Sequence, residues 1–261
     1  MTARRIVVLV KEVPDTYGDR KLSLQTGLAD RQASERVLDE IGERALEVAL
    51  TEVDAHPETE VVVVSMAPEA ASATLRKGLS MGAARVLQVV DEQLAGADLG
   101  VTARVLAAAV RRVGFDLVIT GNMSTDGAGG VLPAMLAEHL DIPALTALST
   151  VVLSDDAVSG TRTTDHGSAT VSAQLPAVIS ITEALPSPRF PNFKGIMAAK
   201  KKPFETVTLA DLGVEVDPAS APQSIMTTVD EKPPRGAGVK IEDEGDAGEQ
   251  LAAFLIENRL A

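Results

Sequence analysis

The chain has 261 residues, 45% of them hydrophobic, a formal net charge of −13 and no cysteine. This length holds one substantial core and a small appendage, the missing cysteines exclude disulfides, thiolate catalysis and Cys-ligated metal, and the acidity argues against nucleic-acid phosphates as the main partner. No apolar run approaches the roughly 20 residues of a membrane helix, and Arg4 and Arg5 precede only a short run ending at Lys11, a buried strand and not a secretory signal, so a soluble, cytoplasmic protein is expected.

The first half alternates strand and helix patterns. Residues 6–10, 61–66, 86–90 and 117–120 are short, Val-rich runs without polar alternation, as parallel strands covered on both faces require. Between them lie helical stripes: Leu46, Ala49, Leu50 and Val53; Leu75, Gly78, Leu79 and Gly82; Leu106, Ala109, Val110 and Val113. Such alternation predicts an α/β fold with a doubly wound, mostly parallel sheet and ligands at the carboxyl ends of its strands. Residues 151–153, 169–174 and 178–182 are β-rich and should complete the sheet or add antiparallel strands. The expected nucleotide-binding domain covers residues 1–212. Residues 213–261 are rich in Pro, Gly and acid, end in a short helix over 247–260, and form an arm without a core of its own.

Two segments carry chemistry. The first is Gly121-Asn122-Met123-Ser124-Thr125-Asp126-Gly127-Ala128-Gly129-Gly130-Val131, which follows a buried strand and enters a helix over 132–140. Amides freed by glycines at a helix N-terminus form a phosphate cradle, and the Ser124 and Thr125 hydroxyls add donors. A tight structural turn explains the same glycines. The segment is neither a Walker loop nor a dinucleotide fingerprint. The second covers residues 186–203. Pro186, Pro188 and Pro191 argue against regular structure and predict a surface loop displaying Phe190 and Phe193 beside Lys200, Lys201 and Lys202. The alternative is a crossover whose phenylalanines tuck into the core.

The blocks Leu175-Pro176-Ala177-Val178-Ile179-Ser180, Pro188-Arg189-Phe190 and Ile196-Met197-Ala198-Ala199-Lys200-Lys201-Lys202 resemble the signature region of the electron transfer flavoprotein beta-subunit family. Val10-Lys11-Glu12-Val13-Pro14-Asp15, Ser65-Met66-Ala67-Pro68, Leu79-Ser80-Met81-Gly82-Ala83 and Pro233-Pro234-Arg235-Gly236-Ala237-Gly238-Val239-Lys240 resemble further family blocks, in order along nearly the whole chain. The resemblance implies an adenine-nucleotide alpha-hydrolase-like fold and a non-enzymatic electron carrier. Such a subunit pairs with an alpha subunit holding FAD, which the arm wraps. It takes electrons from acyl-CoA dehydrogenases and delivers them to a membrane-associated oxidoreductase feeding the quinone pool. The resemblance also implies a buried nucleotide on Gly121, Asn122, Ser124, Thr125, Asp126, Gly127, Ala128, Gly129, Gly130 and Val131, with Leu9, Lys11, Asp39 and Met66 around adenine and ribose. That nucleotide is AMP in most members and a second FAD in the bifurcating branch. Asp126-Gly127 and Pro133 resemble the latter branch, whose usual Thr-Ala-Gln is Ala128-Gly129-Gly130 here. Docking, by the same resemblance, falls to Arg189, Phe190, Phe193, Ile196, Met197, Lys200 and Lys201, with Phe193 at the position of the apolar anchor.

His56, His139 and His166 have no metal-ligand spacing and no paired nucleophile, and read as surface or cap residues; by the resemblance His166 is also a candidate for a contact at the flavin edge. A stand-alone nucleotide-binding α/β domain is the rival class, although it needs neither the lysine block nor a coreless arm.

Overall fold

The structure, a computed structural model, describes residues 4–18, 20–216, 224, 226–236, 238 and 240–260. Two units, Met1–Thr227 and Thr228–Ala261, are distinguished by their internal packing. Ala237 and Val239 of the expected closing block lie outside the described residues, as do residues 217–223, 225 and 261 of the expected arm. No helix among the described residues is long and apolar enough to cross a membrane.

The first unit runs β1 (Arg5–Leu9), β2 (Glu12–Pro14), β3 (Arg36–Leu38), α1 (Glu40–Ala55), β4 (Glu60–Met66), α2 (Ser72–Met81), β5 (Arg85–Val89), α3 (Leu99–Val113), β6 (Leu117–Gly121) and α4 (Leu132–Leu140). It continues through β7 (Ala144–Leu153), β8 (Ala157–Thr164), β9 (Gly167–Gln174), β10 (Ala177–Ile181), α5 (Phe193–Ala199), β11 (Phe204–Val207) and α6 (Leu209–Leu212). Among the described residues nine strands form one sheet in the order β11-β5-β4-β1-β6-β10-β7-β8-β9, and β2 and β3 form a separate antiparallel pair. Every pairing from β11 to β7 is parallel; only β7-β8 and β8-β9 are antiparallel.

Successive side chains on β1 point to opposite faces, and this divides the core into two layers. Ile6 and Val8 pack with Leu46, Leu50, Leu75 and Leu79 of α1 and α2. Val7 packs with Val105, Val110, Leu136 and Leu140 of α3 and α4. Strands buried on both faces have no need of polar alternation, which is why their sequences are continuous runs of Val and Ile. The helices end where the sequence provides for it. Asp98 caps α3, its carboxylate accepting the Val101 amide at 2.9 Å, and Arg111 and Arg112 occupy the last turn, where the helix dipole favours cations. Gly82, which the sequence stripe placed on α2, is instead its cap at φ +147°; a Cβ there would lie 2.9 Å from Leu50 Cδ2.

Several expectations are corrected. The strand expected at 151–153 is the far half of the ten-residue β7, whose earlier half pairs in parallel with β10. The strand β8 escaped sequence reasoning because Ala-Val-Ser-Gly-Thr-Arg-Thr-Thr has almost no apolar alternation; pairing with both β7 and β9 holds it. Within 186–203 the predicted loop gives way to the helix α5. Pro191, the last of the three prolines that argued against regular structure, precedes the cap residue Asn192, whose side chain accepts the Gly195 amide at 2.8 Å, and no further proline occurs before Pro203, beyond the end of α5. Lys202 also departs from expectation, turning inward away from Lys200 and Lys201.

The second unit contains α7 (Ala247–Glu257), a helix with no buried residue; its Leu251, Phe254 and Ile256 are exposed.

Candidate functional site

The strand order reverses between β1 and β6, so the carboxyl ends of these neighbours open a crevice of the kind that binds ligands in open α/β sheets. Lys11 stands just beyond β1, and residues 122–131 lead from β6 into α4. Lys11 Nζ donates to Asp126 Oδ1 at 2.7 Å and to Ser124 Oγ at 3.4 Å. Arg31 donates to Asp126 Oδ2 at 3.1 Å and to the Glu12 carbonyl at 2.9 Å, and Arg20 donates to the Thr125 carbonyl. The Asp126 side chain is only 8% exposed. Burial alone would raise its pKa, but the hydrogen bond and charge of Lys11, with Ser124 and Arg31, hold the carboxyl below its ordinary value.

Asp39 immediately precedes α1 and ties it to the segment between β1 and β2, its amide donating to the Lys11 carbonyl at 2.9 Å. Its Oδ2 accepts the Thr125 amide at 3.0 Å, so this residue joins the start of α1 to the glycine-rich segment. Burial pushes the Asp39 carboxyl up, and the nearby Asp126 charge adds to that push against the Thr125 amide. Asp39 Oδ1 and Thr125 Oγ1 are both buried, and the Thr125 side chain joins the Thr125 amide in holding the Asp39 carboxyl down against burial.

The loop backbone adds donors. Ser124 folds the first turn, its carbonyl accepting the Ala128 amide at 2.9 Å and its hydroxyl the Gly127 amide at 3.3 Å. Ala128 (φ 47°) and Gly130 (φ 68°) then adopt left-handed backbone, which turns the chain into α4. The amides of Gly129, Gly130, Val131 and Leu132 have no acceptor among the described residues; Leu132 opens the first turn of α4, where amides lack intrahelical partners, and the other three lead into it. Leu9 closes β1 in the core and Met66, half-buried, ends β4, both at the same carboxyl edge. The structure thus brings together at this edge Leu9, Lys11, Asp39, Met66 and residues 121–131. It adds Arg20 and Arg31, which sequence reasoning missed: they sit in a polar excursion with no motif, and Arg31 reaches Asp126 across 95 residues. A groove of about 450 Å³, bounded by Arg31, Ser34, Arg36 and Thr74, adjoins this mouth through Arg31.

A second region lies on α5. Phe190 is 95% and Phe193 79% exposed, and Ile196 and Met197 share the open surface, so the phenylalanines do not enter the core. Lys200 and Lys201 are exposed beside them. Arg189 is placed differently. Its backbone amide and guanidinium bind Glu47 at 2.9 Å, and the guanidinium also reaches Asp54 at 2.8 Å, both on α1. These bonds raise its pKa and fasten the loop to the core. Of the histidines, His56 caps α1 between Glu52 and Glu58, His139 lies in the last turn of α4, and His166 lies in the turn between β8 and β9. No cluster of the described residues could hold a metal ion.

The profile of the electron transfer flavoprotein domain family matches residues 26–212. The chain is 45% identical, over 98% of both chains, to the electron transfer flavoprotein subunit beta of Mycobacterium leprae. It belongs to the electron transfer flavoprotein beta-subunit family. More distant relatives include the caffeyl-CoA reductase-Etf complex subunit CarD of Acetobacterium woodii, at 31% identity over 97% of this chain and 96% of that one. Another is the electron transfer flavoprotein subunit beta of Megasphaera elsdenii, at 30% identity over 98% of both. Membership makes the chain a subunit that carries electrons and not an enzyme, with an alpha subunit as the implied partner.

Proposed function

We propose that this chain is the beta half of a heterodimeric carrier that binds AMP at the mouth, helps to hold the FAD of the alpha subunit, and docks acyl-CoA dehydrogenases through α5. Electrons leave for a membrane-associated oxidoreductase and the respiratory quinone pool. The observation that carries this reading is α5 itself: a short helix whose apolar side chains are exposed while its flanks are tied to core helices. Monomers seldom display such a patch unless it meets a partner.

The mouth fits an adenine nucleotide. The amides of Gly129, Gly130, Val131 and Leu132 would hold a phosphate at the positive end of α4. The Asp39 carboxylate suits a ribose hydroxyl, and Leu9 and Met66 offer apolar surface to the base. Lys11 supplies the cation at the crevice, with Asp126 keeping it in place. The flavin, when bound, supplies the redox chemistry; this chain supplies orientation, electrostatics and the docking surface. Domain limits at 1–212 and 213–261, with the latter wrapping the alpha subunit, follow from the same reading. Support comes from α7, whose apolar Leu251, Phe254 and Ile256 are left exposed by the described residues of their own unit.

A second reading replaces AMP by another FAD that oxidises NADH. It draws on the Asp126-Gly127 pair and on Pro133, which resemble the bifurcating branch. Chromatography of nucleotides released from the denatured complex with its alpha partner separates the readings. One FAD with AMP supports the first, two FAD the second, and ATP without a partner subunit overturns both.

A further inference from the structure

The seven residues of α5 are too few to be stable alone, so something outside the helix must hold it where its phenylalanines face outward. The contacts fall on α2. Gly195 lies so close to the end of α2 that a Cβ there would approach the Ser80 carbonyl oxygen to 2.4 Å. Beyond α5, Lys202 extends its ammonium over the terminus of α2 and donates to the carbonyls of Leu79 at 3.1 Å, Gly82 at 3.1 Å and Ala83 at 2.7 Å. The Gly82 and Ala83 amides both return to the Gly78 carbonyl, so Lys202 serves oxygens that the helix end leaves open. A cation at the carboxyl end of a helix also meets the negative pole of its dipole. Arg76 of α2 adds a bond to the Ala199 carbonyl at 3.3 Å, with its guanidinium 4.8 Å from the Phe204 ring centre. Ala199, the last residue of α5, is buried against the α1–α2 core layer.

We propose that Lys202 is a positioning residue: its three-carbonyl seat on α2, with the close fit of Gly195 on Ser80, fixes α5, so partner docking depends on Lys202 through geometry and on Lys200 and Lys201 through charge. The three consecutive lysines thus do two jobs. Burial disfavours the Lys202 charge, which the carbonyls must offset, and holds its pKa below the ordinary value. Lys200 and Lys201 stay in solvent, where long-range attraction acts and salt screens it. The proposal rests on the docking reading of α5, and the experiment separates the two.

The test uses the full chain in complex with its alpha partner and compares Lys202→Met, which keeps the stem but removes the donors, with Lys201→Met. Hydrogen exchange of the amides of residues 193–199 should accelerate about tenfold in Lys202→Met while those of α1 and α4 are unchanged. In flavin reduction by an acyl-CoA dehydrogenase the KM for the carrier should rise by about fivefold at unchanged kcat, with the salt dependence of the wild type retained. Lys201→Met should leave exchange in α5 unaltered and flatten the salt dependence. Gly195→Ala, with Lys202 intact, should reproduce the exchange and KM changes, and it decides the matter if Lys202→Met folds poorly. Unchanged exchange in α5, or a flattened salt dependence in Lys202→Met, overturns the proposal. Normal coupling in Phe193→Ala overturns the docking reading instead, and exchange at residues 193–199 still reports whether Lys202 seats the helix.

Discussion

The mouth at the strand ends and the helix α5 belong to the same unit but are built on opposite principles. At the mouth the charged groups are turned inward: Asp126 is clamped by Lys11 and Arg31, and Asp39 is buried against Thr125. At α5 the apolar groups are turned outward, and the charges that matter structurally, Arg189 and Lys202, are spent on core helices. A site for a small polar ligand needs fixed donors in a low-dielectric setting, where hydrogen bonds are strong. A surface for a partner protein needs exposed area with a desolvatable anchor. On the proposed reading one fold provides both, with strand ends for the first and a loop-borne helix for the second.

If the two regions are this distinct, substitutions in one should leave the other intact. The largest effect is expected for Phe193→Ala. An aromatic anchor contributes about 2 kcal/mol or more to an interface, so coupling to dehydrogenases should weaken by roughly thirtyfold. Because the side chain is 79% exposed, the melting temperature should hardly move. Lost coupling accompanied by a large fall in melting temperature would instead make Phe193 a packing residue. Next comes Gly130→Val. No atom of the described residues lies within 4 Å of a Cβ at this position, so the substitution tests the left-handed backbone (φ +68°). A β-branched residue there is strained by about 1–2 kcal/mol, and nucleotide content should fall by roughly tenfold with α5 and its docking preserved. Full nucleotide content in this variant would remove residues 121–131 as the site.

Asp126→Asn probes the ion cluster. The folded carboxyl lies below the ordinary value of 3.8, so its pairing stabilises the protein above that pH and is lost as pH falls through the folded pKa. The melting-temperature gap between wild type and variant should therefore be largest near neutrality and close below about pH 3.8. Asp39 has the opposite sign, its raised pKa meaning that acid relieves the burden of a buried charge, so it cannot produce the same trend. A gap independent of pH would contradict the pairing. The smallest effect is reserved for Lys201→Glu, which should slow association severalfold at low salt and hardly at all above about 0.5 M. Slowing that persists at high salt would mean that Lys201 is a contact residue and not a steering charge.

Much of this was legible from the chain itself. Runs such as Val61-Val62-Val63-Val64 are buried on both faces, so composition alone marks them as central parallel strands. Stripes such as Leu106, Ala109, Val110 and Val113 mark the helices that cover them, because a buried face repeats every turn. The glycine-rich segment between β6 and α4 was likewise recognisable, since left-handed backbone and a helix start leave a local imprint. Tertiary structure alone decided the rest. Whether Asp126 meets Arg31, or Arg189 meets Glu47 and Asp54, depends on chain segments brought together over long separations, and no local preference encodes such pairs. The weakly patterned β8 is held by neighbours on both sides and not by its own sequence. Three adjacent lysines look equivalent in sequence; only the end of α2, arriving beneath one of them, makes Lys202 a structural residue, because a helix carboxyl terminus presents open carbonyls to whichever cation the fold sets against it.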